Sequence, residues 1–407
     1  MISAFLILLL VWVCASLMLL LGFHGRTMRA LWLEPTLGLP VVIVESDDWG
    51  VGPRSDAEML ARIAATLAGI RDAVGRAPVM TLGLVVGHPD GPAILASGLA
   101  RYSRRLLDEP SFAPIVATMR AGCDAGVFAL QWHGLEHCWP DSLVARARRS
   151  DELKRWLADP EARSEALPSA LQSRWLDTSE LPSRPLERSE IDGAVAEEAA
   201  VLARLFGRVP SVAVPNTFVW NDDVERAWCK AGVTCIVTPG RRFEGRDASG
   251  ALAQFTRTLR NGDSSAGGAV YVVRDDYFEP NRGHRAEQVW QAVAKKRLLG
   301  RPALFETHRE NFIAAPEAAS AALAELERAL RGLIERHPDL RFMSTAELAD
   351  HLSDPASPMR ERVVGARLQV FLRRIALEAS CARLLKYSGL GLALRLLLWA
   401  PHSGIRV

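Results

Sequence analysis

What the 407-residue chain lacks narrows its reading first. It has only six cysteines and no C-x-x-C pair, so neither a disulfide scaffold nor a thiolate zinc centre is expected. Cys229 and Cys235 are the pair that an oxidising compartment would bridge, and the sequence leaves their state open. Neither sign of charge is in excess: 49 Lys and Arg stand against 47 Asp and Glu, for a net charge of +2. That excludes a nucleic-acid polycation, and an apolar share of 49% excludes a disordered composition. No internal repeat is visible. The length admits one large domain or two ordinary ones.

Charge is missing altogether from residues 2–23, which are dominated by Leu, Val, Ile and Met. As a helix this run is about 33 Å long, enough for the roughly 30 Å hydrocarbon core of a bilayer. No basic segment precedes it and no Ala-x-Ala site follows it, so residues 1–24 read as an uncleaved anchor rather than a signal peptide. Arg26 and Arg29 follow the run and lean, by the positive-inside rule, toward a cytoplasmic main domain. At the other end, residues 358–407 set Arg362, Arg367, Arg373, Arg374, Arg383, Lys386 and Arg395 among apolar residues at helical spacing. Such a tail reads as a basic amphipathic, membrane-associated element, with a helix packed on the domain as the plainer reading.

Between the ends, residues 35–352 alternate strand-like and helical segments, which implies βα units around a parallel sheet or barrel of about seven to eight strands. Strands are expected at 41–44, 79–86, 126–131, 211–214, 235–238, 269–273, 303–305 and 340–343. Helices are expected at 56–74, 114–121, 190–206, 222–231, 285–297 and 316–336, with Ser189 and Asn221 as N-caps and Gly232 as a C-terminal stop. Residues 142–188, rich in Arg, Glu, Ser and Pro, read as an insertion near the site mouth, either a lid or a solvated excursion.

Two motifs carry the chemistry. Glu45-Ser46-Asp47-Asp48-Trp49-Gly50 follows the apolar run Val41–Val44, and His133-Gly134-Leu135-Glu136-His137 follows Val127–Leu130. Catalytic groups of α/β barrels gather at the carboxyl ends of the strands. One carboxylate and two imidazoles meeting there make an open three-ligand metal site, with the second carboxylate free to act as a base.

With these residues in place the chain resembles the NodB-type polysaccharide deacetylases, metal-dependent carbohydrate esterases built on a distorted (β/α) barrel. Their Thr-Phe-Asp-Asp-Gly is matched by the first motif with a Trp before the glycine, and their His-Ser/Thr-x-x-His by the second. A divergent branch with Asp-Asp-Trp-Gly, His-Gly-x-Glu-His and Thr/Ser-His-Arg-x-Asn signatures is nearer still; here the third reads Thr307-His308-Arg309-Glu310-Asn311. The resemblance spans residues 40–351. It implies that Asp48, His133 and His137 hold a divalent metal, with Zn²⁺ favoured and Co²⁺, Ni²⁺ or Fe²⁺ tolerated. It implies Asp47 as general base and His308 as the acid that protonates the leaving amine.

The family's Arg-Pro motif has no arginine in Val214-Pro215-Asn216-Thr217. Asn216 is the expected pocket residue there, and Arg309 the expected substitute charge. Asp275 or Asp276 is the expected acidic partner of His308, and Trp220 and Tyr277 are expected to stack on sugar faces. The implied activity is removal of an N-acyl group from an amino sugar in a polysaccharide or lipid-linked glycan at a membrane, expected to be a bacterial inner membrane. Glycan synthesis or export machinery is the implied partner. Two alternatives stand: a glycoside hydrolase using Asp47 with Asp275 or Asp276, and an inactive polysaccharide-binding member of a synthesis complex.

Overall fold

A computed structural model describes residues 2–399, so the last eight residues of the tail lie outside the described residues. Nine strands form the main sheet: β1 Val41–Gly50, β2 Met80–Val85, β3 Phe128–Trp132, β4 Val212–Ala213, β5 Cys235–Thr238, β6 Val270–Val273, β7 Asp276–Tyr277, β8 Ala303–His308 and β9 Arg341–Phe342. Their order is β6-β5-β4-β3-β2-β1-β8-β7, every pair is parallel, and β9 pairs with the first two residues of β1. The edge strands β6 and β7 do not pair with each other among the described residues, so the barrel is a curled, open half-barrel. The curl is visible in Arg274: it follows β6 at one edge yet reaches Asp47 on β1 and Glu306 on β8.

β1 is buried at all ten positions, as a strand covered on both faces must be. Among the described residues the helices of eight or more residues are α1 Ile2–Leu33, α2 Arg54–Ala68, α3 Ala113–Asp124, α4 Pro140–Ala147, α5 Asp151–Ala158, α6 Arg188–Phe206, α7 Asp222–Lys230, α8 Ala286–Leu298, α9 Pro316–Arg336, α10 Thr345–Ser353, α11 Val364–Leu377, α12 Ala379–Tyr387 and α13 Leu390–Trp399. The main core joins β1, β2, β3 and β8 to α2, α3, α6 and α9 through residues such as Leu60, Met119, Leu202 and Leu330. Helices α4 and α5 lie in the expected insertion and carry their own small core, Leu143, Leu153, Leu157 and Leu171 among it.

Asn221 caps α7, its Oδ1 accepting the amides of Asp223 and Val224 at 3.1 Å each. Ser189 does not cap α6. Glu187 does, because Glu187 and Glu190 satisfy each other's backbone amides, which moves the helix start back and puts Ser189 inside the first turn. The expected helix over 56–74 stops at Ala68, where Gly69 follows. A hairpin, Arg241–Arg246 with Leu252–Thr258, was not expected: its second strand is almost wholly exposed and shows no apolar alternation. Cys229 and Cys235 are free thiols.

Helices α11–α13 fold back onto α1. Leu20 and Leu31 pack with Ile375, Cys381 and Leu385, and the buried Arg374 guanidinium donates to the carbonyls of Leu31, Glu34, Pro35, Leu299 and Gly300 at 2.9–3.2 Å. Helix α1 is long and apolar enough to cross a membrane by length and composition over Ile7–Leu33.

Candidate metal centre

The carboxyl end of β1 is irregular where the first motif lies. Its register against β2 shifts between Ser46 and Trp49, and Asp48 sits in the left-handed region at φ 72. Such backbone is tolerated by aspartate better than by most residues, and it turns successive carboxylates toward one place. Trp49 fixes the kink: its ring is fully buried and its Nε1 donates to Ser46 Oγ at 2.8 Å. Gly83, opposite on β2, leaves the room that Asp47 fills, since a Cβ there would overlap the Asp47 carboxylate.

The second motif leaves β3 and bends through Gly134 at φ 97. His133 is held on three sides. Its Nδ1 donates to the Val214 carbonyl at 3.1 Å, its own carbonyl accepts Asn216 Nδ2 at 2.6 Å, and the Gly134 amide donates to Glu198 Oε1 at 3.0 Å. That leaves His133 Nε2 facing the site, 3.2 Å from Asp48 Oδ1; His137 Nε2 is 3.0 Å from the same oxygen. The two Nε2 atoms are 3.2 Å apart. Asp48 Oδ1 is buried without a hydrogen-bond partner. Three lone-pair-bearing atoms thus converge on one point in a buried pocket, and a cation there satisfies all of them. The residues fit a divalent metal. Burial alone would raise the Asp48 pKa, but His137 and His133 hold it well below the carboxylate range.

Beside this trio, Asp47 takes a two-pronged ion pair from Arg274, with Nη2 at 2.6 Å from Oδ2 and Nη1 at 3.2 Å from Oδ1. Arg274 also donates to Glu45 at 2.8 Å and lies 3.2 Å from Glu306, so one fully buried guanidinium serves three carboxylates. Burial opposes ionisation of Asp47, yet Arg274 pulls its pKa below the ordinary value. Burial raises Glu45 and Glu306, and Arg274 only partly offsets it. Asp47, Glu306 and His308 form a second cluster of metal-ligating type, but the Arg274 cation already occupies its acidic side.

His308 ends β8. Its Nδ1 is 2.5 Å from Glu279 Oε1, and its Nε2 is 3.7 Å from Glu306 at the cavity. Asn311, last residue of the third motif, steadies Glu279 and also donates to Thr307 Oγ1 and the His308 carbonyl at 3.2 Å each. Burial would lower the His308 pKa; the Glu279 hydrogen bond, with Asp48 and Asp47 nearby, instead pushes it up to about 10. A cavity of about 230 Å³ opens over these groups, walled by Pro215, Thr217, Phe218, Glu165, Gln172 and Arg282 among others. Thr217 and Phe218 both have positive φ, 50 and 56, backbone strain located at the mouth of the site.

The structure therefore brings Asp47, Asp48, His133, His137 and His308 together and corrects several of their neighbours. Asp275 and Asp276 do not partner His308: as Arg274 turns inward they turn out to Lys296 of α8, Asp276 at 3.3 Å, and Glu279 takes the histidine. The same displacement leaves Asp275 and Asp276 out of the cavity wall, so neither pairs with Asp47 as the glycoside-hydrolase alternative expected. The Arg309 amide donates to the Asp47 carbonyl at 3.1 Å, but its guanidinium does not pair with the base. It binds Glu165 of the insertion at 2.6 Å and approaches Asp56 at 3.9 Å, and Arg274 supplies the charge on Asp47. Asn216 is fully buried and positions the His133 carbonyl instead of lining the cavity. Trp220 is 1% exposed, its Nε1 bound to Glu225 at 2.7 Å, so it offers no face to a sugar. Tyr277 is half exposed but outside the cavity wall. Phe218, Arg274, Glu279 and Glu165 were not anticipated; an arginine directly after the buried strand β6 was the one available signal.

No protein-family model matches the chain, and no curated protein matches it. Solved structures do match. A 4-alpha-glucanotransferase from Thermococcus litoralis is 9% identical over 77% of this chain, with a TM-score of 0.38, and this chain spans only 40% of its length. A family 4 carbohydrate esterase from Streptomyces lividans is 13% identical over 81% of this chain and 98% of its own, at a TM-score of 0.35. A family 4 acetyl xylan esterase from Clostridium thermocellum is 12% identical over 76% and 89%, also at 0.35. Overlaps this loose carry no argument of their own, so the fold rests on the strand order and the chemistry on the side chains.

Proposed function

We propose that this protein is a membrane-tethered, metal-dependent hydrolase that removes an N-acyl group, acetyl in the first instance, from an amino sugar of a polysaccharide or lipid-linked glycan. The observation that carries the reading is the convergence of His133 Nε2 and His137 Nε2, at 3.2 and 3.0 Å, on the buried Asp48 Oδ1, with Asp47 and His308 beside them at the cavity. A divalent cation held by those three residues, Zn²⁺ suiting the donor set best, supplies a Lewis acid for the acyl carbonyl and lowers the pKa of water toward about 7.

The remaining steps belong to the chain's own groups. Asp47, kept ionised by Arg274, accepts a proton from the attacking water as its oxygen bonds to the acyl carbon. His308, charged because Glu279 holds its Nδ1, presents Nε2 to the cavity and gives its proton to the sugar nitrogen as the C–N bond breaks. The products are a carboxylic acid and a free amino sugar, and atoms balance without another reactant. Helix α1 anchors the barrel, and the basic tail helices accompany it at the interface.

The test is Asp47→Asn in purified, detergent-solubilised protein, assayed for acetate release from N-acetylated oligosaccharides alongside metal content. Activity reduced by 10²-fold or more with metal retained is the expected result. Undiminished turnover would remove Asp47 from the reaction.

A further inference from the structure

The two ends of the barrel hold different things. Every group of the candidate site lies at the carboxyl ends of the strands: Asp48 late in β1, His133 just after β3, His308 at the end of β8. The cavity wall comes from the loops beyond those ends, including Pro215 after β4 and Arg282 after β7. The apolar helix joins the opposite end. From Leu33 the chain passes under the barrel, with the Leu37 amide donating to the Gly300 carbonyl at 2.9 Å, three residues before β8, and enters β1 at Val41. Helices α11–α13 return to this same end and pack on α1.

Seven residue steps of β1 separate Val41 from Asp48. At about 3.3 Å each they place the metal ligands about 23 Å along the strand from its base, or roughly 16–19 Å above the base at the 35–45° strand tilt of a barrel. Large apolar side chains are exposed on α1 between Ile7 and Phe23, before the segment that joins the base of the sheet. The base is also stiff. Arg374 binds five carbonyls that belong to α1, to the turn after it and to the segment before β8. Glu34, directly after α1, is clamped by Arg301 at 2.7 Å. A helix fastened this way does not swing to bring the cavity down to a membrane that holds it.

We infer that the site is a stand-off site: it serves acylated amino sugars of an extended glycan held more than about 15 Å from the bilayer surface, and it excludes a sugar attached directly to a membrane lipid. This rests on the anchored-deacetylase reading and selects within it. Discrimination comes from reach, not from sugar chemistry, because a tether too short to span two sites brings the effective concentration near zero.

The experiment uses the full chain in nanodiscs and three substrates: a soluble N-acetylated oligosaccharide, a polyprenyl-phosphate bearing one N-acetylhexosamine, and the same lipid bearing a long N-acetylhexosamine chain. Acetate release is expected from the first and third, with the second slower by ~10-fold or more; in detergent micelles the second should recover. Equal rates for the two lipid substrates in nanodiscs would overturn the inference. Loss of activity on the soluble oligosaccharide as well would count against the deacetylase reading itself. A second measurement does not depend on turnover. In a Cys14→Ser background, fluorophores at Leu33→Cys and Arg282→Cys are quenched by headgroup-labelled lipid. Strong quenching at 33 with little at 282 supports the stand-off, and equal quenching contradicts it.

Discussion

Replacing Arg274 by methionine keeps an apolar stem of similar length and removes the only cation that touches Glu45, Asp47 and Glu306 together among the described residues. All three carboxylates are buried, so none recovers its lost partner from solvent. Breaking a buried, hydrogen-bonded ion network typically costs about 3–5 kcal/mol, because the orphaned charge stays behind. With ~2.1 cal/mol/K of unfolding entropy per residue over a barrel of roughly 320 residues, that is a fall in Tm of about 4–8 °C. The sign of the pH dependence follows from Asp47. Its folded pKa is depressed below 3.8, so its contribution to stability is present above that value and is lost as pH falls through the folded one. In Arg274→Met the depression is gone and the three carboxylates take up protons more readily. The Tm deficit should therefore be largest near neutrality and shrink toward pH 4, and the acid limb of the activity profile should move to higher pH. Differential scanning fluorimetry in detergent at several pH values reads the first, and acetate release reads the second. A Tm within a degree of wild type at pH 7, or a deficit indifferent to pH, would refute the assignment of Arg274 as the charge that sustains Asp47.

Glu279→Gln should lower the His308 pKa from about 10 toward the ordinary 6.5 and draw the alkaline limb of the rate profile down with it, since the acid is lost as pH rises through its pKa; an unmoved alkaline limb would dissociate His308 from proton donation. Trp49→Ala should cost about 3–5 kcal/mol through the cavity it leaves and weaken metal binding as the kink at Asp48 relaxes, read by thermal unfolding and metal titration. Gly83→Ala should press a methyl group onto Asp47, reducing turnover while leaving one equivalent of metal bound, which inductively coupled plasma analysis checks.

Much of this arrangement was legible in the chain. The strands β1, β2, β3, β5, β6 and β8 each contain an apolar run too short for a helix, and that length marks them as buried parallel strands. Metal ligands that sit on strand ends inherit that legibility, which is why Asp48, His133 and His137 are found together. Their neighbours are harder. Asp275 and Asp276 are adjacent to Arg274 in sequence, but the chain turns here from β6 to β7, sending Arg274 into the barrel and both aspartates out to Lys296, and nothing in the sequence marks that turn. Glu279 reaches His308 only because β7 pairs in parallel with β8, a two-residue strand with no periodic signal. Arg309 has the right character for the site and the wrong direction, since Glu165 of the insertion claims it. Trp220 carries no mark in the sequence to separate a sugar platform from a buried ring; its bond to Glu225 does.

The central claim is that Asp48, His133 and His137 hold a metal. Its most direct test is the metal content of purified wild-type protein beside the His133→Ala/His137→Ala double variant, both shown to be folded by circular dichroism. The account predicts about one equivalent of transition metal per chain in the wild type, lost in the double variant. A folded wild type that binds none after addition of Zn²⁺ would contradict it.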